Sequence, residues 1–173
     1  MLDETILTET PPLYGCYGRR GQQVRVPISG NRGRRILHGA INVKTGHVVL
    51  SVTKQWKQGE SQDFLRLIRH HWRGWNIVLF QDRAGQHTAP KSKQLAKELG
   101  IEIRELPRAT PELNAMDHLW RHTKRETQAN RMKLETIEES AQHACDYIDQ
   151  LTPLERLRLA GVLSGDFWLT KGL

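Results

Sequence analysis

Three aspartates hold positions from which acids reach solvent on rigid supports. Asp82 comes just after the apolar run at 76–80 (NIVLF), Asp3 lies in the first extended stretch, and Asp117 falls near the start of a helix that follows Pro107 and Pro111. In an open α/β sheet, functional groups gather where loops leave the carboxyl ends of strands. If the strands bearing Asp3 and Asp82 are neighbours, the three carboxylates converge on one point. Such a set of oxygen donors suits a hard divalent cation, Mg2+ or Mn2+, which keeps several waters and needs only two or three carboxylates from the protein. Two such ions about 3.5–4 Å apart would activate a water or a 3′-hydroxyl on one side of a phosphodiester and stabilise the leaving oxygen on the other. Taken singly, an aspartate after a strand or near a helix start more often serves a turn or a cap.

Cations surround these acids in the sequence. Arg19, Arg20, Arg25, Arg32, Arg34 and Arg35 follow one another through a glycine-bearing loop and into a hairpin with no acid between them. Uncompensated like charge favours a phosphate-bearing partner. Positions three, four and seven after Asp117 share its helical face, which selects Trp120 for the core and Arg121 and Lys124 for phosphate contacts. The plainer alternative for those two cations is a solvated face with ion pairs to Glu112 or Glu126. Lys91, Lys93 and Lys97 read as an ordinary lysine-rich helix face. His118 and His122 have a zinc-compatible spacing, but neither HExxH nor a third soft ligand accompanies them. The absence of P-loop, GxSxG and GxGxxG patterns removes support for a nucleotide cofactor or a serine hydrolase.

The elements that must position these residues alternate between strand and helix. Residues 2–7 are extended, and Pro11-Pro12 opens a loop carrying Gly15, Gly18 and Gly21. Residues 35–43 and 47–55 flank Lys44-Thr45-Gly46 and read as a β-hairpin. The spacing of Phe64, Leu65, Ile68 and Trp72 predicts a helix over 59–72 with Ser61 as its N-cap, and His70-His71 at its carboxyl end. The run at 76–80 has the pattern of a strand buried on both faces. A short basic helix over 89–99 closes at Gly100, and a strand over 101–106 stops at Pro107. Helices are expected over 112–130, 133–151 and 153–163. A hairpin, then alternating strands and helices, then a helical tail indicate an α/β domain with a mixed sheet. In the tail, Leu134, Ile137 and Ala141, followed by Ala144, Tyr147 and Ile148, form one apolar face, expected to pack on the domain, with a dimer contact as the alternative.

Composition narrows the partners. The 173 residues suit one domain with one sizeable core. A formal charge of +7 favours a polyanion, nucleic acid first and an acidic membrane surface second. A 38% hydrophobic content argues against disorder. The mean hydropathy of −0.59 and the lack of an apolar run near 18 residues leave no expected membrane span. Cys16 and Cys145 read as thiols of a reducing cytoplasm rather than a disulfide framework.

Asp3-Glu4-Thr5, LFQDRAGQHTA around Asp82 and His87, and PRATPELNAMDHLW around Asp117 and Trp120 together resemble the DDE transposases of bacterial insertion sequences related to the mariner group. The 34 residues at 83–116 between the second and third acids match the mariner-like spacing with aspartate as the third acid. The resemblance runs from Asp3 to about position 131. It implies a ribonuclease H-like fold, a mixed five-stranded sheet flanked by helices, as a catalytic domain over 1–130 with a helical extension over 131–173. It also implies that Asp3, Asp82 and Asp117 are the catalytic metal ligands of a two-ion Mg2+ or Mn2+ site, that His87 matches the motif histidine after the second acid, and that Asn114 and Trp120 are structural. The implied activity is DNA cleavage and strand transfer on transposon ends and target DNA, by a homodimer when complete. Relatives carry helix-turn-helix segments and more strand residues before the first acid, so the resemblance further implies the downstream part of a split or truncated transposase. The alternatives are a non-catalytic DNA-binding remnant, or another ribonuclease H-like nuclease.

Overall fold

Apolar residues at alternate positions build the first layer of the chain, for which the computed structural model describes residues 1–28, 30–130 and 136–169. Strands β1 (Leu2–Thr8), β2 (Arg34–Ile41) and β3 (Val48–Thr53) form an antiparallel sheet in that order. The β2–β3 turn closes because the Asn42 side chain accepts from the Lys44 amide at 2.9 Å and Gly46 takes φ +72°. Strand β4 (Ile77–Gln81) pairs in parallel with β5 (Ile101–Glu105) as a separate two-stranded sheet.

The strands therefore divide three and two rather than forming the expected five-stranded sheet. β1 and β4 touch, and Leu2, Ile77 and Leu79 share one apolar cluster, but no ladder joins them. The backbone shows why. Met1 exchanges both its polar groups with Ile41 of β2, so the Leu2 carbonyl points to the opposite edge. There it accepts from the Asn114 side chain at 2.9 Å instead of from a strand.

Helix α1 (Gln58–His71), the short α2 (Gly85–Thr88) and α3 (Pro90–Glu98) lie on one side of the first sheet, and α4 (Ala115–Thr127) on the other. Phe64, Leu65 and Ile68 of α1 pack with Leu2, Ala40 and Val49, while Met116, Leu119 and Trp120 of α4 pack with Leu7, Leu37 and Ile41. Helices α5 (Ile137–Gln150) and α6 (Pro153–Leu159) add Ala141, Ala144, Ile148 and Leu157 to the α4 cluster. Each begins at a capping box, Thr136 with Glu139 and Thr152 with Glu155, which satisfies amides left free at a helix start.

Several local expectations change. Ser61 is not the cap of α1: the helix starts a turn earlier after Lys57, and Ser61 is buried inside it. β4 is not covered on both faces, since Val78 stays exposed. The expected helix over 112–130 is a 3-10 turn (Pro111–Leu113) followed by α4, because Asn114 stops the first and caps the second. The last helix ends at Leu159, with Gly161 at φ +73° turning the chain away. Positions 133–135, including Leu134 of the expected apolar face, lie outside the described residues. No described helix is long and apolar enough to cross a membrane.

Candidate active site

Asp3, Asp82 and Asp117 line one cleft of about 480 Å³. Each arrives on a different support. Asp3 lies opposite Gly39 in the β1–β2 register, on the α4 side of the sheet. A Cβ at Gly39 would stand 2.5 Å from both Met116 and Trp120, so glycine is what lets α4 approach the sheet this closely. Asn114 sets the start of α4: its oxygen accepts from the Met116 amide at 3.1 Å while its amide donates to the Leu2 carbonyl. One side chain thus caps the helix bearing Asp117 and ties it beside Asp3. Asp82 follows β4, where its Oδ1 accepts from the Ala84 amide at 3.0 Å.

The neighbouring acids perturb Asp3. Burial, then the charges of Glu4, Asp117 and Asp82, raise the Asp3 pKa to about 8. Asp82 is held below its ordinary value by the hydrogen bond from His87, which outweighs burial, and by the Ala84 amide. Lys124, half-buried near Asp117 and Asp3, is lowered by burial against the opposing pull of those two acids. Arg121 pairs with Asp117 at 2.8 Å, one turn along α4. Among the described residues, no three His, Cys, Asp or Glu side chains gather tightly enough to share one cation. Asp82 is turned to His87 and Asp117 to Arg121.

His87 is the main feature that residue-by-residue reading leaves without a role. It sits on α2, a four-residue helix not expected from periodicity. Its Nδ1 is 2.8 Å from Asp82 and its Nε2 is 2.9 Å from Glu4. Burial pulls its pKa down, but the hydrogen bonds and charges of Asp82 and Glu4 overcome this and raise it to about 10. Glu4 is held low, against burial, by hydrogen bonds from His38 and His87. Glu4 directly follows Asp3 and gives no signal of its own, because strand alternation sends the two acids to opposite faces.

The cations separate into groups. Arg19, Arg20, Arg25, Arg32 and Arg34 are exposed on the long segment between β1 and β2 and at its end, away from the cleft lining. Arg35 departs from the acid-free run: it is largely covered and paired with Glu138 of α5. Arg83 and Arg108 line the cleft beside the acids, although neither stands out in the sequence. The available signal is position, since both follow the carboxyl ends of strands. Lys93 pairs with Glu105 at 2.8 Å. His118 and His122 turn to different partners, the Glu112 carbonyl and the Tyr147 hydroxyl.

A family model described as DDE superfamily endonuclease matches residues 1–139. No protein of curated function matches the chain in sequence. Among solved structures, the Mos1 transposase paired-end complex with left transposon end is similar over 92% of this chain and 50% of its own, with a TM-score of 0.73 at 16% identity. The Mos1 strand transfer complex is similar over 92% and 49%, with a TM-score of 0.72 at 16% identity. The catalytic domain of Mos1 mariner transposase is similar over 73% and 67%, with a TM-score of 0.59 at 16% identity. At such identity the likeness is one of fold: a mixed α/β arrangement shared with that catalytic domain. The chain spans about half the length of the first two.

Proposed function

This chain belongs to the DDE superfamily of endonucleases, and we propose that it is the catalytic domain of a mariner-related transposase of a bacterial insertion sequence, cutting and joining DNA. One observation carries the proposal: three acids from a strand, a strand end and a helix line one cleft, and Asp3 is driven to a pKa of about 8 there. The negative charge that neighbouring acids place on Asp3 is what a dication would offset, and an all-oxygen donor set fits Mg2+ or Mn2+. Asp3, Asp82 and Asp117 are the residues that would hold it. When bound, a two-ion site supplies activation of the attacking hydroxyl and stabilisation of the leaving oxygen.

The chain's own residues orient the substrate. Arg83, Arg108 and Lys124 stand at or near the cleft, where a phosphate backbone needs positive partners. Arg121, paired with Asp117 here, would be free to meet phosphate were Asp117 to hold a cation. We assign Arg19, Arg20, Arg25, Arg32 and Arg34 to contacts with DNA further from the cleft, supported by their exposure. The sheets and helices through residue 130 form the proposed ribonuclease H-like catalytic domain, with 131–173 as an extension whose described helices complete the α4 cluster. Transposon ends and target DNA are the proposed substrates, a homodimer the proposed assembly, and the cytoplasm the proposed location, the last supported by two unpaired cysteines.

Nicking of supercoiled plasmid in Mg2+ or Mn2+ tests this reading. Asp82→Asn and Asp117→Asn are each expected to abolish metal-dependent nicking and to leave salt-sensitive DNA binding in place. Nicking that survives either change contradicts the assignment. A second reading, a DNA-binding protein of the same fold without catalysis, is favoured by the engagement of Asp82 with His87 and Asp117 with Arg121. DNA binding by the unaltered chain with no nicking in either metal supports it.

A further inference from the structure

Strand β1 sends Asp3 and Glu4 to opposite faces of the sheet, and on the face away from α4 a continuous set of polar contacts runs back to the cleft. Glu4 lies across from His38 in the β1–β2 register, and its Oε1 is 3.2 Å from His38 Nδ1. The other ring nitrogen of His38 is 3.1 Å from the hydroxyl of Thr53 on β3, and that hydroxyl donates to the Gln55 carbonyl at 2.8 Å. The same Glu4 oxygen is 2.9 Å from His87 Nε2, and His87 Nδ1 reaches Asp82 Oδ1 at 2.8 Å. The side chains of Glu4 and His87 are 4% and 3% exposed, whereas that of Asp82 is 53% exposed.

A buried polar pair is a poor way to stabilise a fold, because desolvation offsets most of its attraction and apolar packing does as well or better. This one ends on an exposed acid of the cleft rather than on another buried group. Oδ1 of Asp82 takes both the His87 and the Ala84 contacts, while no described residue bonds Oδ2. Contacts of this kind fix which oxygen of an acid is presented to a bound ion.

We propose that Glu4 and His87 are positioning residues for Asp82: Glu4, anchored by His38 and Thr53 behind the sheet, fixes the His87 ring, and His87 holds Oδ1 so that Oδ2 faces the cleft. The proposal rests on the reading of Asp82 as a metal-binding acid and adds to it residues that touch neither metal nor DNA. It also gives a purpose to the four-residue α2, which carries His87 back to Asp82 within one turn.

The test is Mn2+ binding by titration calorimetry on the full chain, with thermal unfolding of each metal-free variant alongside. In His87→Asn the amide takes the place of Nδ1 and retains the contact to Asp82. In His87→Gln it takes the place of Nε2 and retains only the contact to Glu4. Weakening of Mn2+ binding by about 10–100-fold is expected for His87→Gln, the range seen when partners behind a ligand are removed, with smaller losses for His87→Asn and Glu4→Gln, each of which keeps the contact from residue 87 to Asp82 and loses its anchor. A destabilised fold would instead weaken both His87 variants alike, following their unfolding temperatures, and that result overturns the proposal. Unchanged affinity in His87→Gln and Glu4→Gln overturns it too. Thr53→Val loosens only the far anchor and supplies a further variant should Glu4→Gln fail to fold; its expected loss is smaller and in the same direction, and no loss counts against the anchor. Asp82→Asn separates the two levels of the reading. If it removes Mn2+ binding while the His87 and Glu4 variants do not, only the positioning role fails; if the unaltered chain shows no Asp82-dependent binding, both fail.

Discussion

Asp3 lies mostly buried beside Asp82, Asp117 and Glu4, and its pKa of about 8 implies a pH dependence. Between about pH 4, where an unfolded aspartate titrates, and pH 8, the folded chain holds a proton at Asp3 that the unfolded chain has lost. Its contribution to stability is therefore complete below the unfolded pKa and is lost as pH rises through the folded one. Asp3→Asn removes the titration, so in metal-free calorimetry the variant is expected to unfold at a higher temperature than the unaltered chain, by a margin that widens from pH 5 to pH 8. Added Mg2+ at pH 8 should narrow the margin, since an ion that binds only the folded state raises its unfolding temperature. A margin independent of pH contradicts the burial of the Asp3 charge. The three aspartates are legible from strand ends, a helix start and the 34-residue interval at 83–116. Glu4 is not, because its partners His38 and His87 become neighbours only through strand register and a turn.

At the scale of elements, the approach of α4 to the first sheet decides whether Asp117 meets Asp3. Gly39→Ala places a methyl group against Trp120, a rigid neighbour, and such overpacking costs about 1–3 kcal/mol. At roughly 2–4 °C per kcal/mol for a chain of this size, thermal unfolding should fall by several degrees, and nicking should fall with it as α4 is displaced. Gly59→Ala in α1 is the control: nothing lies within 4 Å of the added carbon, and alanine is expected to be neutral or stabilising there. Equal effects at the two glycines would remove close packing as the reason for Gly39. Periodicity showed the strands and the long helices because their apolar faces are continuous. It missed α2, too short for a period, and placed the α1 cap at Ser61, because a serine before an apolar face looks alike whether it caps the helix or lies in its first turn. The split between β1 and β4 was hidden for another reason: a side chain 112 positions away, Asn114, takes the Leu2 carbonyl that a ladder would use.

Over the whole molecule the charge of +7 is unevenly placed. Four arginines are exposed on the segment between β1 and β2 and a fifth, Arg34, at the start of β2, while Arg35 is committed to Glu138 and Arg121 to Asp117. Replacing Arg19, Arg20 and Arg25 with glutamine is expected to reduce the salt slope of DNA binding by roughly 2–3, at about 0.9 for each phosphate no longer neutralised, without changing unfolding temperature. An unchanged slope would take these arginines out of the DNA surface. The central claim concerns a smaller region of the same molecule, namely that Asp3, Asp82 and Asp117 act together on one metal centre. Anomalous diffraction from crystals of the chain grown with Mn2+ tests it directly. The expected result is manganese in the cleft ligated by oxygens of all three aspartates, with Asp117 turned away from Arg121. A fully ordered cleft without manganese at saturating Mn2+, or manganese bound elsewhere, would contradict it.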